Sequence, residues 1–113
     1  MILDSGLKVK LLGVVPIDDS AFKEKAILFL KNLISGNRVF LKYDSEKFDE
    51  KKNLLAYVYL INKTFLNAKL IVNGLAKCDT KIDFQCKDRF LKYEEEAAQG
   101  KLGIWGEKGL VHA

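Results

Sequence analysis

The segment that most constrains this chain is the apolar run Leu54-Leu55-Ala56-Tyr57-Val58-Tyr59-Leu60-Ile61. It is rich in aromatic and β-branched residues and far shorter than a bilayer span. It therefore reads as a strand, with Leu55, Tyr57 and Tyr59 on one face and Ala56 and Val58 on the other. Val39–Tyr43 has the same composition. The charged stretch Asp44–Asn53 lies between the two, so they read as a hairpin with a long, mobile, solvated loop. Asn62-Lys63-Thr64 after the run is turn chemistry.

The rest of the chain supplies helices to pack on such strands. Leu7–Val15 starts by alternating apolar and polar and then turns wholly apolar, a strand becoming buried on both faces, and Pro16 stops it. Asp4-Ser5-Gly6 before it is a turn, which makes Met1–Leu3 the end of a preceding hairpin strand. From Ser20 the apolar set becomes Phe22, Ala26, Phe29, Leu30, Leu33 and Ile34, one face of a helix. Asp18, Asp19 or Ser20 can cap it and Gly36 can end it. Asn67 is placed to cap a short helix that ends at Gly74, and Lys77–Lys87 is irregular with a short extended piece. Asp88–Gln99 is a second long helix with Phe90, Leu91, Ala97 and Ala98 as its buried stripe and Gly100 as its stop. This order implies an α+β domain with an antiparallel β core.

At 113 residues and 49% hydrophobic, the chain can bury one core but not two. The expected division is one domain over 1–106 and a tail over 107–113. No apolar run spans a bilayer, and no membrane association is expected. Cys78 and Cys86 form no CxxC pair, and the single histidine, His112, lies in the tail. Zinc binding, a disulfide scaffold and a histidine-based triad are therefore poor readings. The net charge of +4 comes from 19 Lys+Arg against 15 Asp+Glu, and among the basic residues only Arg38 and Arg89 are arginine. Lysine cannot grip a phosphate with a planar fork, so the basic balance suits loose contact.

Three segments carry a more specific signal. Leu3-Asp4-Ser5-Gly6-Leu7-Lys8-Val9-Lys10-Leu11-Leu12-Gly13-Val14 resembles a hairpin leading into a "VRLLGIDxPE" strand. Asn53–Tyr59 with Phe65–Ala76 is similar to a "GRxLAYVY" strand followed by a "vNaxLVrxGlA" helix, and Glu94–Trp105 to a last helix ending in "GIW". In this order and spacing they resemble the staphylococcal nuclease-like, or thermonuclease, family over nearly the whole chain. The resemblance implies an OB-fold-like antiparallel β-barrel with three helices, here lacking its first strand. It also fits a structural job for Trp105, closing the bottom of a small core, and for Gly74, a left-handed helix stop.

Active members of that family are calcium-dependent phosphodiesterases, and their chemistry needs specific parts. Two aspartates hold the metal, a glutamate orients water and two arginines meet the charge that develops on phosphate. Carried over by motif, the first aspartate belongs to a strand preceding this sequence. The first arginine falls on Lys10, the second aspartate on Val14-Val15-Pro16, the glutamate on Ile17 and the second arginine on Asn53. Lys51 and Lys52 replace a tyrosine and a glycine, and only Asp49 of that motif keeps its type. Lys10, Val15 and Asn53 therefore mark a degenerate active site. Asp18, Asp19 and Asp49 are the weak candidates for a rebuilt cation site.

The resulting expectation is a catalytically inactive domain, without a cofactor, that binds single-stranded nucleic acid or a protein. Lys10, Lys42, Lys51, Lys52 and Lys63 are the candidate phosphate contacts. One alternative is a calcium-dependent nuclease completed by an upstream strand. Another is a structural module that self-associates into a homo-oligomer through an open sheet edge.

Overall fold

The computed structural model describes residues 8–35 and 38–107. Its elements are β1 (Val9–Leu11), β2 (Val14–Pro16), α1 (Ser20–Ile34), β3 (Val39–Lys42), β4 (Leu54–Leu60), α2 (Leu66–Val72), β5 (Ala76–Cys78), α3 (Lys87–Gln99) and the single-turn α4 (Ile104–Glu107). The expected hairpin end Met1–Leu3, the turn Asp4–Gly6, the helix stop Gly36 and the tail carrying His112 lie outside the described residues.

β4 is the central strand of a three-stranded sheet ordered β1-β4-β3, and β2 pairs with β5 in a separate two-stranded sheet. β3 runs antiparallel to β4, with Phe40 opposite Tyr59 and Lys42 opposite Tyr57. β1 runs parallel to β4, with Lys10 opposite Leu55, which corrects the expectation of a purely antiparallel core. Alternation fixes the face that a residue occupies but not the direction of its partner strand. The described strands form two open sheets rather than a closed barrel. The helices described number four instead of three, because the single turn α4 follows α3.

Both faces of β4 are covered. Leu54, Ala56, Val58 and Leu60 are buried with Val9 and Leu66, and Leu30, Leu33 and Ile34 of α1 pack over them together with Val39 and Leu41. On the opposite face Tyr57 joins Ala68, Ile71 and Phe90 from α2 and α3. There the rings meet edge to face, Tyr57 with Phe65 at 5.7 Å and with Phe90 at 6.4 Å. Such pairs add about 0.5–1.5 kcal/mol each beyond burial. Ile17, Phe22 and Ile104 form a third cluster with Leu75 and Trp105 against it.

Local chemistry explains most element ends. Asp19 caps α1, its Oδ1 accepting from Ala21 N at 3.0 Å and Phe22 N at 3.2 Å, a contact whose loss costs about 1 kcal/mol. Phe22 is fully buried, while the rest of the expected stripe on α1 is at most half-buried. The Leu7–Val15 strand is interrupted by a turn at Leu12-Gly13, and Asp79 N donates to the Gly13 carbonyl there at 2.9 Å. On α3, Phe90 and Ala97 are buried, but Leu91 is 36% exposed and leaves the stripe. Gly74 ends α2 at φ +71° and meets Gly103 at φ +54°. A β-carbon on Gly74 would strike the Leu102 carbonyl and one on Gly103 the Gly74 carbonyl, while Ile104 N donates to Gly74 O at 3.1 Å. The two positions need glycine for both conformation and space.

Asn67 is not a cap. Phe65 occupies that position, and Asn67, fully buried inside α2, reaches the sheet instead. Its Oδ1 accepts from Val58 N at 2.8 Å, and its Nδ2 donates to Leu12 O at 2.9 Å and Ala56 O at 3.1 Å. One side chain thus joins β4, α2 and the end of β1, satisfying Val58 N and Leu12 O and adding a second bond to Ala56 O, which also accepts from Leu12 N at 2.9 Å. None of the described helices is long and apolar enough to cross a membrane.

Candidate functional site

The loop before β4 is built around one carboxylate. Asp49 Oδ1 accepts from Lys51 N at 2.9 Å and Asn53 N at 2.8 Å. Its Oδ2 accepts from Asn53 Nδ2 at 3.1 Å and pairs with Lys10 Nζ at 3.1 Å. Backbone bonds from Asp49 N to Asn53 O and from Lys52 N to Asp49 O close the same turn, and Lys52 enters it at φ +64°. The loop is further tied down by a bridge between Phe48 and Leu54 and by Leu55 N donating to Lys47 O at 2.8 Å. The stretch expected to be a mobile loop is therefore pinned at this end.

Four donors fill the roughly four lone-pair positions that a carboxylate offers. Partial burial raises the pKa of Asp49. The Asn53 side chain, the Asn53 amide and the Lys10 ammonium outweigh it and hold the carboxyl at about 2. The acid is thus ionised but fully engaged, and a hard cation would have to displace Lys10 or Asn53 to reach it.

Lys10, Asp49 and Val15 all line one groove of about 710 Å³ between α1 and the β1–β2 segment. Positions picked out from the sequence as an eroded active site therefore converge in space, with Asn53 attached through Asp49. The groove walls include Val9, Leu11, Ile27 and Leu30, and its charged lining residues are Lys10, Lys23, Asp49 and Asp79. Val15, one of the three residues on which the second aspartate falls by motif, is 38% exposed. Asp18 is exposed in the turn before α1, and Asp19 is committed to capping that helix. Among the described residues no three His, Cys, Asp or Glu side chains cluster as metal ligands. Both cysteines are free thiols.

The five candidate lysines do not form one patch. Lys10 and Lys51 share a second groove of about 390 Å³ beside Asp49, with Lys52 next in the same turn. Lys42 lies on β3 across from Tyr57. Lys63, at φ +69°, sits in the turn after β4, about 20 Å of strand away from Lys51.

Sequence reasoning passed over a second constellation. Tyr57 Oη donates to Asp44 Oδ2 at 2.6 Å, and Gln85 N donates to the same oxygen at 2.8 Å. Phe65 stacks on Tyr59 at 4.5 Å and 16°. Arg89 lies 6.0 Å from the Phe65 ring centre and 5.9 Å from that of Tyr93, and its Nη2 donates to Tyr93 Oη at 3.2 Å. The available signal was the recurrence of aromatics around one of the two arginines, but these residues come from separate elements that only the fold brings together.

Comparison with known proteins places this geometry in context. Residues 8–107 match the family model described as staphylococcal nuclease homologue. An uncharacterized protein of Methanocaldococcus jannaschii is 33% identical over 104 residues, covering 84% of this chain and 50% of the relative. A SPbeta prophage-derived endonuclease of Bacillus subtilis is 34% identical over 84 residues, covering 72% of this chain and 28% of the relative. The thermonuclease of Staphylococcus hyicus is 29% identical over 85 residues, covering 74% and 50%. The chain thus spans half or less of the length of each of these relatives.

Proposed function

Because the chain belongs to the staphylococcal nuclease homologue family, we propose that it is a non-cleaving member that binds single-stranded nucleic acid through loose electrostatic contacts. The observation that carries this reading is the Lys10–Asp49–Asn53 cluster. The acid that kept its type is ion-paired with Lys10 and hydrogen-bonded by Asn53, the two residues on which the family's arginines fall by motif. Losing one transition-state donor costs about a hundredfold or more in rate, and groups that act together are lost together. On this reading the two small sheets are parts of an OB-type barrel. Lys42, Lys51, Lys52 and Lys63 supply its non-specific affinity, and the chain needs no calcium.

The test is anisotropy of a labelled oligonucleotide across a salt series. Binding that weakens steadily with salt, and no calcium-stimulated cleavage by the same preparation, is the expected result. Salt-independent binding, or cleavage that a chelator abolishes, would overturn it. The second outcome would favour another reading, a nuclease completed by further sequence. That reading draws on the names of the two relatives called endonuclease and thermonuclease.

A further inference from the structure

We propose that the surface formed by Phe40 of β3, the stacked pair Tyr59–Phe65, and Arg89 with Tyr93 of α3 is a stacking platform for unpaired nucleotides. This rests on the nucleic-acid reading above and locates the contact away from the Lys10–Asp49 groove. Phe40 is 52% exposed and stands directly across from Tyr59 in the antiparallel register. Tyr59 and Phe65 are bridged by backbone pairing as well as by ring stacking, so the platform is held by strand geometry before any ligand arrives. Arg89 lies over the far end of the strip, fixed by Tyr93.

Charge supports the same occupant. Both arginines of the chain flank these rings, Arg38 being exposed two residues before Phe40 and Arg89 exposed on α3. Neither has an ion-pair partner among the described residues. Lys42, two residues after Phe40, is exposed as well. Asp44, the acid closest in the β3 sequence, has one carboxylate oxygen taken by Tyr57 and Gln85 and the other by Ser45 N. Asp88 leaves α3 about 100° around the helix from Arg89. Guanidinium groups beside the exposed Phe40 ring and the half-buried Tyr59, Phe65 and Tyr93 rings suit a ligand that alternates anionic phosphates with flat apolar faces. The ligand must be single-stranded, because in a duplex the base faces are already covered by stacking and cannot lie on Phe40.

The experiment compares affinities of the full chain for a labelled oligothymidylate, an abasic strand of equal length and a duplex. Phe40→Ala is expected to weaken oligothymidylate binding roughly five- to hundredfold, the range of one lost base–aromatic stack. It should leave abasic-strand binding unchanged, and Phe40→Tyr should retain affinity. Arg89→Gln is expected to weaken both single strands and reduce the salt slope by about one. Lys51→Ala with Lys52→Ala serves as the contrast, weakening oligothymidylate and abasic strands alike. If that pair weakens binding while Phe40→Ala and Arg89→Gln do not, or if the duplex binds as tightly as the single strand, the platform is overturned and the broader reading survives. If the unmodified chain binds none of the three, both readings fall.

Discussion

The Tyr57 hydroxyl donates to Asp44 at 2.6 Å, tying the middle of β4 to the loop that follows β3. Cys86 N donates to the same hydroxyl at 3.4 Å and Gln85 N to the same carboxylate, so the entry to α3 is held as well. The Tyr57 hydrogen bond lowers the Asp44 pKa against the opposing effect of burial, with help from Gln85 and Ser45 amides. Burial first, and the Asp44 contact second, push the Tyr57 hydroxyl well above its ordinary value of 10.0.

Tyr57→Phe should therefore destabilise the fold by about 1–2 kcal/mol near neutral pH. The penalty has a defined pH window. Asp44 titrates lower in the folded chain, so its contribution is complete above its ordinary 3.8 and is lost as pH falls through the folded value. Tyr57 titrates higher, so its contribution holds below 10.0 and is lost as pH rises toward the folded value. Urea unfolding midpoints of the two proteins should converge at both extremes; a gap independent of pH would contradict the assignment.

Asn67→Ala removes the partner of Val58 N and Leu12 O, while Ala56 O keeps its bond from Leu12 N. Leaving the two groups unsatisfied should cost roughly 3 kcal/mol and lower Tm by about 15 °C. Asn67→Asp should also be severe, because a carboxylate would face the carbonyls of Leu12 and Ala56. Thermal unfolding followed by circular dichroism checks both; a Tm shift of only a few degrees would show that the side chain is not the junction of β1, β4 and α2.

Carbon-detected titration of Asp49 should give a midpoint at about 2. Lys10→Met and Asn53→Ala should each move it up toward the ordinary 3.8. Because the folded value is the lower one, the stability contributed by Asp49 is present above 3.8 and disappears as pH falls toward 2. An unmodified chain titrating near 3.8 would mean that the carboxylate is not clamped.

Side-chain chemistry close in sequence was readable. Asp19 faces the amide groups two and three residues on, and Gly74 follows an apolar helix, so the chemistry of each signals its position. Directions and distant partners were not readable. The parallel pairing of β1 with β4 joins segments separated by the whole of α1 and β3, and the alternation in Val9–Leu11 is the same for either direction. Asn67 was misread because a polar residue near the start of a helix has the same local signature whether it turns to its own amides or to a neighbouring sheet. For the site, the motif positions Lys10, Val15 and Asp49 share one groove in the fold, and Asn53 joins them through the Asp49 carboxylate. What they do there depends on a lysine from one strand and an asparagine from a turn closing on one carboxylate.

The back-to-back meeting of Gly74 and Gly103 also bears on how folding can be watched. The chain has a single tryptophan, Trp105, and it follows directly on that crossing, with its indole Nε1 buried and without a hydrogen-bond partner. Its emission is thus an internal gauge of whether the last turn has docked against the end of α2. An optical signal from this one residue reads closure of the C-terminal seam, separately from assembly of the β4-centred sheet.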